Sequence, residues 1–297
     1  MVSSKLVNAF NASKLTVLEE LDKGGFGCVF NATYENSPVV VKSSLVEEKD
    51  ESMIREYKHL LRLQSGKFSG IPKISYSFLC DGKESFMMEK LGTDLLKLLG
   101  KTTDKKFSLE TTLMIALQVL KRLESVHSCG IIHNDIKPNN LMTGFLDPNT
   151  IYLIDFGVAS SYIDEGEHTP CTKTSKLRGT KKYCSVNAMR GRSVSRRDDL
   201  ESLAYVLVRL NSGKLPWDTV LKDETKDKKA MLKETIKCKR LPASEICEGT
   251  CKEFEIFLDE VRSLGFYEKP AYDKYYKMFE KLLNQRGVKA DSEFVWD

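Results

Sequence analysis

Near the start of the chain, apolar and β-branched residues come in short runs between turn residues, a pattern that predicts β-strands. Thr16 to Asp22 and Cys28 to Thr33 flank a glycine-rich turn and predict a β-hairpin. Further strands are predicted at Pro38 to Ser43, Ile74 to Cys80 and Glu84 to Glu89. Residues 1–14 are polar and are expected to form a frayed leader.

Apolar residues at helical spacing predict one helix among these strands and further helices after them. Glu47 to Gln64 has apolar residues three to four positions apart, which predicts an amphipathic helix, and Gly70-Ile-Pro72 is expected to break it. The same spacing recurs from Leu109 and predicts a second, long helix, which is expected to end at Gly130. Apolar residues on its other side predict that this second helix is buried nearly all round.

The composition is that of an ordinary globular protein, since 41% of the 297 residues are hydrophobic and 30% are charged. The net charge of +4 does not by itself indicate a nucleic-acid partner. None of the eight cysteines forms a C-x-x-C pair, so we expect reduced, mostly structural thiols. With no signal-peptide pattern and no apolar run near 18 residues, we expect a soluble protein of the cytoplasm, the nucleus or both, without membrane contact.

A polar stretch in the middle of the chain, H-N-D-I-K-P-N-N, carries the strongest chemical signal. It offers a carboxylate at Asp135, a cation at Lys137 and an amide at Asn140, and Asp155 follows after two short predicted strands. Phosphoryl transfer requires an aimed hydroxyl, positive charge on the phosphate oxygens and metal ions between the phosphates. Asp135 can accept the hydroxyl proton and Lys137 can bind the transferred phosphate. Asn140 and Asp155 can hold Mg²⁺ through oxygen ligands. The alternative is a polar turn followed by an unrelated Asp-Phe-Gly turn.

The glycine-rich turn Lys23-Gly-Gly-Phe-Gly27 is a weaker signal, which the position of Lys42 strengthens. Glycines let the backbone approach phosphates closely, and Lys42 ends the next predicted strand. Glu56 lies on the first predicted helix, 14 residues after Lys42; the alternative is a solvated helix carboxylate among Glu47, Glu48 and Glu51. Asp22 stands where the pattern G-x-G-x-x-G has its first glycine, which weakens nucleotide binding unless the carboxylate points away.

These residues resemble those of protein kinases, in which a glycine loop, a strand lysine, a catalytic loop and an Asp-Phe-Gly triplet occur in this order. Downstream, the chain has Ser185-Val-Asn187 where most protein kinases have A-P-E, and then S-R-R-D-D-L-E-S at Ser195 and L-P-W at Leu215. This set closely resembles the casein kinase 1 family, with the vaccinia-related kinases as near relatives. The resemblance covers roughly residues 15 to 297.

The resemblance implies an α+β, two-lobed protein kinase fold in a domain of residues 15–297. A small antiparallel β-sheet lobe with one main helix would occupy about 15–89, a hinge 89–92, and a larger, mostly helical lobe 93–297. In that family Glu56 pairs with Lys42, and Asp199, at the start of a buried helix, braces the catalytic loop. His127 is expected to be a packing histidine, and His133 to bond backbone near the Asp-Phe-Gly turn.

The cofactors that the resemblance implies are ATP and Mg²⁺. Met88 would limit the adenine pocket, although it could be plain core filler, and backbone groups of Glu89 and Leu91 would bond the adenine edge. The implied nucleotide-binding residues are Leu21, Asp22, Lys23, Gly24, Gly25, Phe26, Gly27, Cys28, Val29, Lys42, Met88, Glu89, Leu91 and Met142.

The expected partners are protein substrates with acidic or phosphorylated residues near the target Ser or Thr, bound by a monomer. An anion site is expected at Arg178, Lys182, Lys228 and Lys229, although exposed lysines are usually just solvated charges. Two other functions remain open. A pseudokinase or scaffold is favoured by Asp22 and by Asn134, where most relatives have arginine. A small-molecule phosphotransferase would share the acidic residues but not Lys137.

Overall fold

The computed structural model describes residues 11–24, 27–46, 50–173 and 177–296. The first lobe contains an antiparallel sheet of five strands in the order β1-β2-β3-β5-β4. The strands are β1 (Leu15–Gly24), β2 (Gly27–Tyr34), β3 (Ser37–Ser43), β4 (Ile74–Cys80) and β5 (Lys83–Glu89). All five lie within two residues of the predicted positions.

One helix, α1 (Glu51–Ser65), packs against this sheet through Met53 and Leu60. The predicted start at Glu47 is wrong, because Asp50 has extended backbone and caps the helix by accepting hydrogen bonds from the first-turn amides. The predicted end at Gln64 is confirmed to within one residue, because α1 ends at Ser65, before the predicted break at Gly70. Gly70 instead has a φ of +74°, and its carbonyl accepts the amide of Leu153 at 2.9 Å in the second lobe.

The middle of the chain leads from the first lobe into the catalytic segment. Its elements are β6 (Leu91–Asp94), α2 (Leu95–Lys101), α3 (Leu109–Ser128), β7 (Ile131–Ile132), β8 (Leu141–Gly144), β9 (Ile151–Leu153), β10 (Ser160–Ser161), β11 (Ile163–Asp164) and β12 (Glu167–His168). Strands β6, β8 and β9 form one sheet, β7 pairs with β10, and β11 pairs with β12. Helix α3 is buried on most of its surface, as the sequence predicts.

The second lobe is mostly helical. Its later helices are α4 (Val186–Met189), α5 (Arg196–Ser212), α6 (Asp218–Leu221), α7 (Lys228–Lys239), α8 (Ala243–Ile246), α9 (Lys252–Ser263) and α10 (Tyr272–Gln285). Helix α5 is also largely buried, and it packs against both α3 and α9. The stretch H-N-D-I-K-P-N-N lies between β7 and β10. It is supported by α5, a helix that is buried in the core between α3 and α9.

The segment after α10 packs back on the second lobe. Phe294 and Trp296 stack with ring centroids 4.6 Å apart, and Trp296 meets the edge of Phe107 at 5.4 Å. The hydroxyl of Thr111 donates to the carbonyl of Val295 at 2.8 Å. Within the described residues, no helix is both long and apolar enough to cross a membrane.

Candidate functional site

Lys42, Glu56 and Asp155 form a buried charge cluster between the lobes. The ammonium of Lys42 donates to both oxygens of Glu56, at 2.8 and 2.7 Å, and to Asp155 Oδ1 at 2.9 Å. The side chains of Lys42 and Glu56 are 8% and 2% exposed. The predicted pairing of Lys42 with Glu56 is thus present, and the solvated alternative for Glu56 is wrong.

Burial and charge act in opposite directions within this cluster. Burial favours the neutral amine, but the carboxylates of Glu56 and Asp155 outweigh it and hold the pKa of Lys42 above its ordinary value. Burial would likewise raise the pKa of Asp155, but Lys42 outweighs it and the pKa lies below its ordinary value. Burial raises the pKa of Glu56, and the charge of Lys42 opposes that rise. The two carboxylates therefore depend on Lys42 to stay ionised together.

Three separate elements bring this cluster together. Lys42 lies on β3 between Val29 of β2 and Phe86 of β5. Glu56 is on the buried face of α1, and Asp155 follows β9 in a left-handed conformation with φ of +64°. Asp and Asn adopt this conformation more readily than other non-glycine residues, so an aspartate suits this turn.

Asp135 is buried and is held by three donors. Its Oδ2 accepts from Lys137 Nζ at 2.6 Å and from Asn140 Nδ2 at 3.3 Å, and its Oδ1 accepts the amide of Thr180 at 2.8 Å. Lys137 Nζ also lies 3.4 Å from the hydroxyl of Thr180. The three residues that the sequence groups as phosphoryl-transfer candidates therefore meet at one carboxylate, together with a threonine from a later segment.

Thr180 reaches Asp135 because the preceding glycine allows a close backbone approach. Gly179 has a φ of +80°, and a Cβ built on it would lie 2.1 Å from the carbonyl oxygen of Asn134. Any other residue would push the segment at Thr180 away from the catalytic loop. Thr180 thus borders Asp135, and residues 181–184 continue the chain from it.

Asp199, at the start of α5, braces the catalytic loop, as the resemblance implies. Its Oδ2 accepts the amide of His133 at 2.7 Å, and its Oδ1 accepts the amide of Asn134 at 2.8 Å. His127 Nε2 lies 2.9 Å from Oδ2 of the same carboxylate, and His127 Nδ1 lies 2.5 Å from the hydroxyl of Tyr272. The Asp199 oxygen accepts in this contact, so His127 Nε2–H is the donor. The Tyr272 hydroxyl bonds the other ring nitrogen, so Asp199 and Tyr272 together fix the orientation of the His127 ring.

Two side chains tie the catalytic loop to the Asp-Phe-Gly turn. His133 Nε2 lies 2.9 Å from the carbonyl oxygen of Ile154, and its ring meets that of Phe156 edge-on at 4.8 Å. Asn134 Nδ2 donates to the carbonyl of Val158 at 2.8 Å and to Ser160 Oγ at 3.0 Å. The expected structural role of His133 is confirmed.

The implied nucleotide residues line the hairpin β1–β2 and the strands that lead to the hinge. Asp22 accepts the amide of Lys23 at 2.9 Å, so its carboxylate folds back on its own strand. Met88 is opposite Val40 and is partly buried against the core, Leu91 begins β6, and Met142 lies on β8 opposite Tyr152. The predicted residues Gly25 and Phe26 lie outside the described residues.

Asn140 and Asp155 fit a divalent cation. The amide nitrogen of Asn140 donates to the carbonyl of Asp135 at 2.9 Å, which leaves its Oδ1 as the ligand atom. Asp155 binds Lys42 through Oδ1, which leaves Oδ2. Two hard oxygen ligands next to the acceptor carboxylate are the donor set that Mg²⁺ takes beside phosphates.

The structure places the four predicted anion-site residues on exposed or half-exposed segments. Lys182 pairs with Asp218 at 2.6 Å, and Arg178 is exposed. Lys228 and Lys229 are exposed in the first turn of α7, which Asp227 caps. Lys182 is therefore in contact with a carboxylate, which an anion would have to displace.

The unusual segment Ser185-Val-Asn187 is fixed by two buried acids of α5. Ser185 Oγ and Asn187 Nδ2 donate to Asp198 Oδ1 at 2.6 and 3.2 Å. The amide of Val186 donates to Glu201 Oε1 at 3.0 Å. The departure from A-P-E thus coincides with an anchor made from the S-R-R-D-D-L-E-S motif.

Sequence reasoning missed three residues that shape the site: Thr180, Tyr272 and the buried Lys239. Tyr272 ends the stretch Glu268-Lys-Pro-Ala-Tyr272, which also resembles the casein kinase 1 family, but its contact with His127 joins positions 145 apart in sequence. Lys239 lies in the run K-C-K-R, which resembles any solvated helix end. No sequence pattern separates it from its exposed neighbours.

One comparison with known proteins bears on this geometry. The family model of the protein kinase domain matches residues 15–285. The match includes the cluster of Lys42, Glu56 and Asp155 and the loop around Asp135. The chain belongs to the protein kinase family.

Proposed function

We propose that this protein kinase is a serine/threonine kinase of casein kinase 1 type, which transfers the γ-phosphate of ATP to acidic or phosphate-primed protein substrates. The observation that carries the proposal is the contact set of Asp135, where Lys137 and Thr180 meet one carboxylate. Lys137 two positions after the catalytic aspartate is the serine/threonine form of this loop.

Each residue of the site has a distinct part in the transfer. Asp135 orients the acceptor hydroxyl and takes its proton, as a general base with a fixed position. Lys137, which bonds Asp135 in the absence of substrate, is placed to bind the oxygens of the transferred phosphate. Lys42, held by Glu56, positions the α- and β-phosphates.

Asn140 and Asp155 are the residues that would hold Mg²⁺ in this site. The ion, when bound, neutralises charge between the phosphates. The pseudokinase alternative gains no support from the site, because Lys42, Glu56 and Asp155 are all present and in contact. The carboxylate of Asp22, one of its two supports, accepts a backbone amide of its own strand.

The anchor at Ser185 and Asn187 supports the casein kinase 1 assignment. The resemblance to the casein kinase 1 family rests on S-V-N and S-R-R-D-D-L-E-S as two separate motifs. Here Asp198 of the second motif accepts from both polar side chains of the first. The two motifs therefore act as one structural unit, which explains why they occur together.

A preference for acidic or primed substrates rests on the cations around residues 178–182 and the start of α7. Thr180, two residues before Lys182, bonds Asp135 through its amide, so an anion bound at Lys182 would lie near the acceptor hydroxyl. Its present partner, Asp218, is a carboxylate, the same chemical class as an acidic substrate residue. Several cations on one dianionic phosphate bind better than one exposed pair does, and the effect should fade with salt.

The test measures kcat/KM with ATP and Mg²⁺ for an acidic peptide in primed and unprimed forms, and for the same peptide with tyrosine as acceptor. We expect the primed serine peptide to be the best substrate and the tyrosine peptide to be inactive. Asp135→Asn controls for a contaminating kinase. Equal values for primed and unprimed peptides would refute the anion preference, and tyrosine phosphorylation would refute the serine/threonine assignment.

A double variant assigns the preference to residues. Lys182→Ala with Lys228→Ala should reduce the ratio of primed to unprimed kcat/KM, whereas Lys281→Ala, an exposed lysine on α10, should not. An unchanged ratio in the double variant would show that these two lysines are not the anion site.

A further inference from the structure

Lys239 is a lysine with no exposed surface, at the last position of α7. Its Nζ donates to the carbonyls of Lys181 at 3.0 Å and Cys184 at 2.5 Å. Among the described residues, no carboxylate lies within ion-pair distance of this Nζ. A buried ammonium without an anionic partner is costly, so the site must compensate it in another way.

Aromatic faces supply that compensation. Lys239 Nζ lies 4.8 Å from the ring centroid of Tyr205 and 4.9 Å from that of Trp217. Both distances are within the range of cation–π attraction, which is stronger where water is excluded. Trp217 also donates its Nε1–H to the carbonyl of Lys182 at 2.8 Å. Three hydrogen bonds, two from Lys239 and one from Trp217, thus hold the backbone carbonyls of Lys181, Lys182 and Cys184.

We propose that Lys239 is a positioning residue that clamps the loop of residues 181–184 and thereby fixes the protein-substrate wall of the active site. This inference rests on the proposed protein-kinase activity for its kinetic consequences. The loop comes directly after Thr180, whose amide bonds Asp135. If the loop shifts, the surface that a peptide meets beside the acceptor carboxylate shifts with it, whereas the nucleotide contacts at Lys42 do not.

The surroundings of Lys239 allow its charge to be followed by pH. Burial lowers the pKa of Lys239 to about 8. The titratable groups that face it are Cys184, Glu201, Tyr205 and Arg262. Burial raises the pKa of Cys184 and that of Tyr205 above their ordinary values, so neither is expected to ionise before Lys239 does. A pKa lowered by burial means that the charged clamp is present below about pH 8 and weakens above it.

The experiment compares wild type, Lys239→Met and Lys237→Met, an exposed lysine two residues earlier on the same helix. Steady-state kinetics with an unprimed acidic serine peptide give the KM for peptide, the KM for ATP and kcat. We expect Lys239→Met to raise the peptide KM by about tenfold or more, since two hydrogen bonds to a charged group are lost, and to leave the ATP KM nearly unchanged. Lys237→Met should match wild type.

Hydrogen exchange of the backbone amides of residues 181–186 gives a readout without substrate. We expect faster exchange in Lys239→Met than in wild type, with no change in α3. If wild type fails to phosphorylate the peptide, the proposed function fails, but this measurement still tests the clamp. Unchanged exchange together with an unchanged peptide KM would overturn the inference.

Two further measurements test the clamp even if the Lys239→Met protein fails to fold. Lys239→Gln keeps an uncharged donor, and it should show the same exchange increase to a smaller degree. In wild type, the peptide KM should rise between pH 7 and pH 9 while the ATP KM stays constant. A peptide KM that is flat over this range, with normal exchange in Lys239→Gln, would refute the clamp.

Discussion

The two sides of the active site are built in opposite ways. On the nucleotide side, β1 is exposed along nine of its ten residues, and β2 is its only neighbour in the sheet as the structure describes it. On the acceptor side, His133, Asn134 and Asp135 are buried, and Asp199 holds the backbone of the first two. A segment with few buried contacts opens at low cost, whereas a fully bonded buried segment does not.

Because of this difference, we expect the two sides to control different kinetic parameters. The exposed hairpin can adapt to the phosphates, so changes there should alter nucleotide affinity. The catalytic loop fixes a proton acceptor to a set position, so changes there should alter kcat. Substitutions on each side test this division, and we expect the largest effects on the buried side.

The charged residues that face the reacting groups, Asp135 on the acceptor side and Lys42 and Asp155 on the nucleotide side, should dominate the rate. Asp135→Asn removes the general base and should lower kcat by about 10²–10⁴-fold. Lys42→Met and Asp155→Asn should also abolish measurable transfer, because each removes charge that faces the phosphates or the cation. Circular dichroism checks that the variants remain folded. Near-normal kcat in a clean Asp135→Asn preparation would contradict the mechanism.

Loosening the brace beneath the loop should have the next largest effect. Asp199→Asn replaces a buried charged acceptor of two amides and should destabilise the fold by about 1.5–3 kcal/mol while lowering kcat. Tyr272→Phe removes only the hydroxyl that bonds His127 and should cost about 1 kcal/mol. Thermal denaturation and peptide kinetics measure both variants. If Tyr272→Phe lowers kcat as much as Asp199→Asn does, the prediction that Asp199 contributes more than Tyr272 is wrong.

Much of this contrast could be predicted from sequence, since the strands, α1, α3 and the pairing of Lys42 with Glu56 follow local patterns and a matching order of motifs. Local patterns do not carry the rest. The contact of Tyr272 with His127 and that of Lys239 with the loop at Lys181 and Cys184 join distant segments through single side chains. Lys239 does not differ locally from a lysine on a solvated surface, and the motif that contains Tyr272 does not name its partner, so the packing decides both roles. The helix start at Asp50 could not be predicted because the acidic residues before it also suit a helix.

On the exposed side, Asp22→Gly should change only nucleotide binding. The carboxylate bonds the amide of Lys23, and an exposed charge contributes about 0–1 kcal/mol. We therefore expect the KM for ATP to fall by at most about fivefold or to stay the same, with little change in kcat. Asn31→Ala on β2 is a control at a hairpin position outside the nucleotide set. A tenfold rise in the KM for ATP would show that Asp22 helps to hold the loop.

The smallest effect should come from removing phosphate from the segment after the Asp-Phe-Gly turn. In kinases that a loop phosphate switches on, the arginine beside the catalytic aspartate usually binds that phosphate. Asn134 stands there, carries no positive charge, and donates to Val158 and Ser160. The segment offers four candidate phosphosites, Thr169, Thr172, Thr174 and Ser175. The amide of Thr169 donates to the carbonyl of Tyr162, Thr172 bonds Ser193, and Thr174 and Ser175 lie outside the described residues. We expect phosphatase treatment of the purified enzyme to leave kcat unchanged, with mass spectrometry to verify that phosphate is gone. An enzyme that loses its activity on this treatment, and regains it with ATP, would show that the acceptor side needs a phosphate to hold its shape.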